Sequence, residues 1–255
     1  NNFKFYEELD EVIQREPSDL FSPELLGMAS SIGIEKGKPF NPSPEQKALL
    51  TEAVAIGNAT ARSILFGPKD PKNYIYPGKA GYWQTGFPGG SHEYLVNKGN
   101  GGRDMDGRTL FFYLATVNTP AMALEIPGVG SQYAFSSRDG SGAYLNGSNT
   151  YKLNIPANPP AQKFWSFVVY DPQTRSMLQT GEMPYPSKNN KRNADMVKNA
   201  DGSIDLYFGP QAPAGMEANW VKTVPGKGWF GIFRLYGPGQ EWFDRTWKLG
   251  AIEKV

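Results

Sequence analysis

Tyr151-Lys-Leu-Asn-Ile155, with Phe164-Trp-Ser-Phe-Val-Val-Tyr170 shortly after it, is the stretch on which the fold turns. The first segment sets Tyr151, Leu153 and Ile155 on one side and Lys152 and Asn154 on the other. That period of two belongs to a half-buried strand. The second segment is apolar on both sides and reads as a strand covered on both faces. Working outward, Gln132-Tyr-Ala-Phe135, Ala143-Tyr-Leu145, Ile204-Asp-Leu-Tyr-Phe208 and Gly228 to Tyr236 read as further strands. Arg138 to Gly142, Asn146-Gly147 and Asp201-Gly202 supply turns between them, and Asn-Gly is the strongest short hairpin signal. Strands at such spacing, divided by Gly and Pro, predict an antiparallel sandwich or barrel. Leu110 to Val117 reads as one more buried strand, with helix as the alternative at this length. Pro184 to Asn199 is polar and reads as a mobile surface loop.

Upstream the punctuation is different. Phe5, Leu9, Val12 and Ile13 fall at helical spacing and Pro17 ends the run. Ser22-Pro23-Glu24 and Ser43-Pro44-Glu45 each combine an N-cap residue, a proline at the first helical position and an acidic first turn. The second of these opens a long helix that Gly67-Pro68 closes, and Lys36 to Pro39 reads as a linker. The expected fold is therefore mainly β with a helical N-terminal segment: three helices over 1–68, then an antiparallel β-sandwich over 69–255.

Composition narrows the chemistry. The 255 residues carry 29 glycines and 21 prolines. These make up about a fifth of the chain against roughly 12% in average proteins, which excludes a helical bundle throughout. Lys+Arg 26 against Asp+Glu 25 leaves a net charge of +1, without the basic excess of a nucleic-acid footprint. No apolar run reaches the roughly 18 residues of a membrane span. Cysteine is absent and His92 is the single histidine. Disulfides, thiol nucleophiles and His-rich metal centres are thereby excluded. What remains is carboxylate, Tyr, Lys and Arg chemistry, oxygen-ligated cations, or binding alone.

Two clusters stand out. Tyr170, Asp171, Gln173, Thr174, Arg175 and Ser176 cluster at the end of the most apolar strand, where Asp171 as a base and Arg175 as an oxyanion clamp could grip a polar ligand. The alternative is an Asp-Pro turn with Arg175 tying down loop carbonyls. Arg234 and Tyr236 lie two residues apart on one strand, hence on the same face. A single concave site holding Asp171, Arg175, Arg234 and Tyr236 is the expectation. Asp104 and Asp106, before Gly107, resemble part of a calcium loop, although no third carboxylate or terminal Glu follows at the required spacing. A solvated turn is the other reading. No cofactor is called for, and calcium is the one cation the pattern allows.

The run from Phe164 to Thr180 is more distinctive, together with Tyr207-Phe-Gly-Pro-Gln-Ala-Pro213, Asn219-Trp220, Pro225 to Phe230 and Arg234-Leu-Tyr-Gly-Pro238. With these motifs the chain closely resembles a bacterial family catalogued as domain of unknown function twelve-fourteen. In that family the domain usually follows a partner, domain twelve-fifty-four, in a longer polypeptide. The resemblance implies tandem sandwiches of jelly-roll type, oligomeric and often exported, so periplasmic or secreted. It attaches no activity or catalytic residue. It also implies an upstream domain that this chain lacks, so the expected partner is that domain of the same precursor or a second copy of the chain in a homo-oligomer. The function expected on these grounds is a binding or assembly module for a polar ligand such as a sugar or lipid. The alternative is a hydrolase or lyase using carboxylate, Tyr and Arg groups.

Overall fold

The computed structural model describes residues 2–115 and 118–255. The chain divides into two compact units, Asn1–Ile64 and Leu65–Val255. The first is built from α1 (Lys4–Arg15), α2 (Pro23–Ser30) and most of α3 (Pro44–Phe66). Both Ser-Pro-Glu signals act as starts. The Ser22 and Ser43 hydroxyls accept from the backbone N–H of Leu25 and Gln46, at 3.4 and 3.1 Å. Tyr6, Ile13, Ala29, Ile34, Leu50 and Val54 form the core of this unit. The Lys36–Lys38 linker is folded against α1. Lys36 Nζ donates to the carbonyls of Ile13, Gln14 and Glu16, which a helix C-terminus leaves without partners.

The second unit holds eight strands: β1 (Ser131–Ser136), β2 (Tyr151–Ile155), β3 (Ala161–Tyr170), β4 (Ser187–Asn189), β5 (Ile204–Gly209), β6 (Trp220–Lys222), β7 (Phe230–Pro238) and β8 (Ile252–Lys254). They make two four-stranded sheets, ordered β1-β7-β3-β4 and β6-β5-β2-β8. The period of two sends Leu153 and Ile155 of β2, Trp165, Phe167 and Val169 of β3, Leu206 and Phe208 of β5, and Phe233 and Leu235 of β7 into one core. Phe167 and Phe208, from different sheets, pack with tilted rings whose centroids are 4.8 Å apart. Each such side chain contributes roughly 1.5–3 kcal/mol when removed from water.

Four expectations are corrected. The second sheet is not purely antiparallel, because β6 runs parallel to β5. Leu110 begins no strand: Met105–Leu114 is a helix, α4, whose N-cap Asp104 accepts from Gly107 N–H at 3.0 Å. Of the run that reads as a strand, Thr116 and Val117 lie outside the described residues. Ala143–Leu145 is not a strand, and Asn146-Gly147 does not turn a hairpin onto β2. Gly147 N–H instead donates to the Lys227 carbonyl at 2.8 Å, from a distant part of the chain. Finally, the polar stretch after Pro184 contains β4 and a turn tied by its own asparagines. Asn190 accepts from Trp165 N–H and Asn189 from Arg192 N–H, at 3.0 and 2.7 Å.

Two shorter helices complete the unit, α5 (Pro120–Ala123) and α6 (Gln240–Phe243). Among the described residues no helix is long and apolar enough to cross a membrane.

Candidate functional site

Alternation on β7 has a second consequence. With Phe233 and Leu235 in the core, Ile232, Arg234 and Tyr236 occupy the opposite face of the sheet. Register places Tyr133 of β1 and Ser166 of β3 on either side of Arg234. Over this outer face, α4 and the segment Thr85–Phe87 close a cavity of about 340 Å³. Phe87 packs on Phe111 of α4 at 4.5 Å between ring centroids, which makes its apolar roof. Arg234, Tyr133 and Tyr170 make its polar floor, and Arg175 enters from the side.

Arg234 donates from Nη2 to the Tyr170 hydroxyl at 2.6 Å, with its guanidinium 5.3 Å from the Tyr133 ring centroid. Its Nε is buried and has no hydrogen-bond partner among the described residues. A guanidinium stays charged at any physiological pH. Burial raises the Tyr170 pKa, and Arg234 only partly offsets that, so the phenol is protonated at neutral pH. Having accepted from Arg234, it keeps a hydrogen to donate. Arg175 donates from Nη1 to the Gln173 carbonyl at 3.0 Å and lies 4.1 Å from the Tyr113 ring centroid. Neither arginine forms an ion pair among the described residues, and the cavity lining contains no carboxylate, histidine or thiol. The arrangement is a half-apolar pocket with two uncompensated cations.

Of the four residues expected to converge, Arg175 and Arg234 do. Asp171 and Tyr236 do not line the cavity. Asp171 accepts from the N–H groups of Gln173 and Thr174, at 2.7 and 3.4 Å, and pairs with Lys227 Nζ at 3.2 Å. Burial pushes its carboxyl up, but these donors outweigh burial and leave its pKa lowered. Lys227, and not Arg175, holds it ionised. Tyr236 stacks on Phe164 with centroids 4.1 Å apart and interacts with Arg234 without itself lining the cavity.

The calcium reading meets a different use of its residues. Asp104 caps α4 through one oxygen and pairs with Lys72 Nζ at 3.1 Å through the other, while Asp106 is exposed in the first helical turn. Among the described residues no three potential ligands gather around one point. Residue reading did not single out Tyr133 or α4. Both carry a signal: Tyr133 sits inside a segment read as a strand, and Asp104-Met-Asp-Gly has the acidic start of a helix.

Residues 130–240, which include β1 to β7, match the family model "Protein of unknown function (DUF1214)". No curated protein matches the chain. Among solved structures, it is similar to the VPA0106 protein from Vibrio parahaemolyticus, with 20% identity and a TM-score of 0.48, over 98% of this chain and 55% of that one. An uncharacterized protein from Burkholderia cenocepacia gives 16% identity and a TM-score of 0.39, over 91% and 48% of the two chains. The chain thus spans about half the length of these solved proteins.

Proposed function

We propose that the cavity under α4 is a binding site for a small organic acid with an apolar body. The observation that supports this is the pairing of two guanidinium groups with no acid in the lining, one of them with a buried, unpartnered Nε. Burying a cation without a counter-charge is costly. A carboxylate from outside would cancel that cost and accept from Arg234 Nε, while the Tyr170 hydroxyl donates to its second oxygen. Phe87, Phe111 and Ile232 would cover the apolar body. This narrows the sugar-or-lipid expectation to its acidic, apolar members. It also favours binding over the hydrolase or lyase reading, because Asp171 is committed to its turn and the lining offers no group to take a proton.

The test is calorimetric titration of the full chain with straight-chain and aromatic monocarboxylic acids at neutral pH. Their primary amides serve as neutral controls of equal shape. Acids that bind, with amides at least about tenfold weaker, support the reading, that ratio being 1.4 kcal/mol of charge recognition. Equal affinity for acid and amide would sink it.

A further inference from the structure

The cavity does not end at β1. A second hollow, about 280 Å³, shares Thr85, Phe87, Gln132 and Tyr133 with it as a common wall and is lined beyond them by Lys72, Glu125 and Arg245. Its charges are not equivalent. Lys72 is spent on Asp70 and Asp104, at 2.9 and 3.1 Å. Glu125 is exposed. Arg245 has no carboxylate partner among the described residues; it donates to the Trp242 carbonyl and lies 5.6 Å from the centroid of the Trp242 ring.

Arg245 and Arg175 are held alike. Each has a left-handed backbone, φ 64° and 60°, and each guanidinium rests on an aromatic ring. A non-glycine residue in that region persists only where its surroundings enforce it. So the two adjoining hollows, divided by the wall of Thr85, Phe87, Gln132 and Tyr133, each present a positioned arginine without a carboxylate partner among the described residues.

Resting on the acid-binding reading above, we propose that the ligand is two-headed: an α,ω-diacid with one carboxylate at Arg234, the other at Arg245, and its apolar linker across the Phe87–Tyr133 wall. A single acid would leave Arg245 uncompensated. An ω-amino acid would set an ammonium beside that guanidinium, with exposed Glu125 as its only attraction.

The experiment titrates the full chain with three homologous series of increasing length: monoacids, α,ω-diacids and ω-amino acids. Diacid affinity should peak at one length and there exceed the matching monoacid by about tenfold or more, one charge-assisted contact being of that order. Arg245→Gln should abolish the advantage while monoacid affinity stays unchanged, and Arg245→Lys should restore part of it. Diacids no tighter than monoacids at any length would overturn the two-headed ligand and leave the single-acid site standing. So would ω-amino acids that bind tighter than diacids, or an advantage that survives Arg245→Gln. If no acid of any series binds, both readings fall together.

Discussion

Arg234 buries a positive charge that no side chain neutralises, and the two consequences oppose each other. Replacing it with methionine, similar in reach but uncharged, should weaken monoacid binding about ten- to a hundredfold, the value of one or two hydrogen bonds to a charged group. The same change should leave the melting temperature unchanged or raise it, because the unpaired ion is a cost in the empty site. Calorimetry and thermal melts on one variant check both, and a large drop in melting temperature would mark Arg234 as a structural residue. Asp171 is expected to behave in the reverse way. Asp171→Asn should cost about 1 kcal/mol at neutral pH, because it weakens hydrogen bonds to a charged acceptor and removes the pair with Lys227. The folded-state pKa of Asp171 is lowered, so its contribution is present above the ordinary value of 3.8 and is lost as pH falls through the folded value. Denaturant titrations should therefore show the two proteins converging in acid, with acid binding at neutral pH the same in both.

At the scale of elements, two glycines and one cap decide how the second unit closes. Gly147 has no positive φ, yet a Cβ there would lie 2.2 Å from the Val224 carbonyl oxygen. The Asn-Gly pair is needed for close approach to a distant segment and not for a two-residue turn. Gly231 on β7 faces the Phe167 ring, which a Cβ would meet at 2.1 Å. Gly147→Ala should destabilise by about 1–3 kcal/mol through forced overpacking, read by chemical denaturation. Asp104→Ala should cost about 1 kcal/mol as a lost helix cap. Because α4 roofs the cavity, it should also weaken acid binding, whereas Asp106→Ala should do neither. Added calcium should leave the wild-type melting temperature where it is, since both Asp104 oxygens are engaged inside the protein. A calcium-dependent rise would restore the metal reading of this loop.

At the scale of the whole molecule, both hollows are built from residues after Leu65, within the second compact unit. The first unit has its own core. Substitutions inside that core, such as Ile13→Ala, should lower stability by about 2–5 kcal/mol, as cavity-forming changes do. At temperatures where the variant stays folded, acid affinity should not move. A change in affinity would show that the helical unit takes part in the site. The near-zero net charge, with Phe112 of α4 65% exposed and Val129 61% exposed, leads us to expect self-association. A strictly monomeric mass by light scattering at micromolar concentration would count against it.

Local signals were enough for the helix starts at Ser22 and Ser43, through their Ser-Pro-Glu caps, and for the core strands β2, β3, β5 and β7, through their apolar patterning. In each, the local pattern and the buried face agree. Leu110 to Leu114 was not legible in that way, because a short apolar run satisfies helix and strand alike and only the Asp104 cap separates them. The parallel approach of β6 to β5 and the contact at Gly147 depend on segments far apart in the chain, which no local window contains. The same division runs through the site. The face shared by Arg234 and Tyr236 follows from a period of two. Which partner Asp171 takes and which ring covers Tyr236 follow from packing between elements. Sequence therefore determined the core strands β2, β3, β5 and β7, their faces and the kinds of chemistry left open. Tertiary structure decided that two arginines, and not an aspartate–arginine pair, meet in one pocket, because charge neutralisation depends on distance in space and the chain order does not carry it.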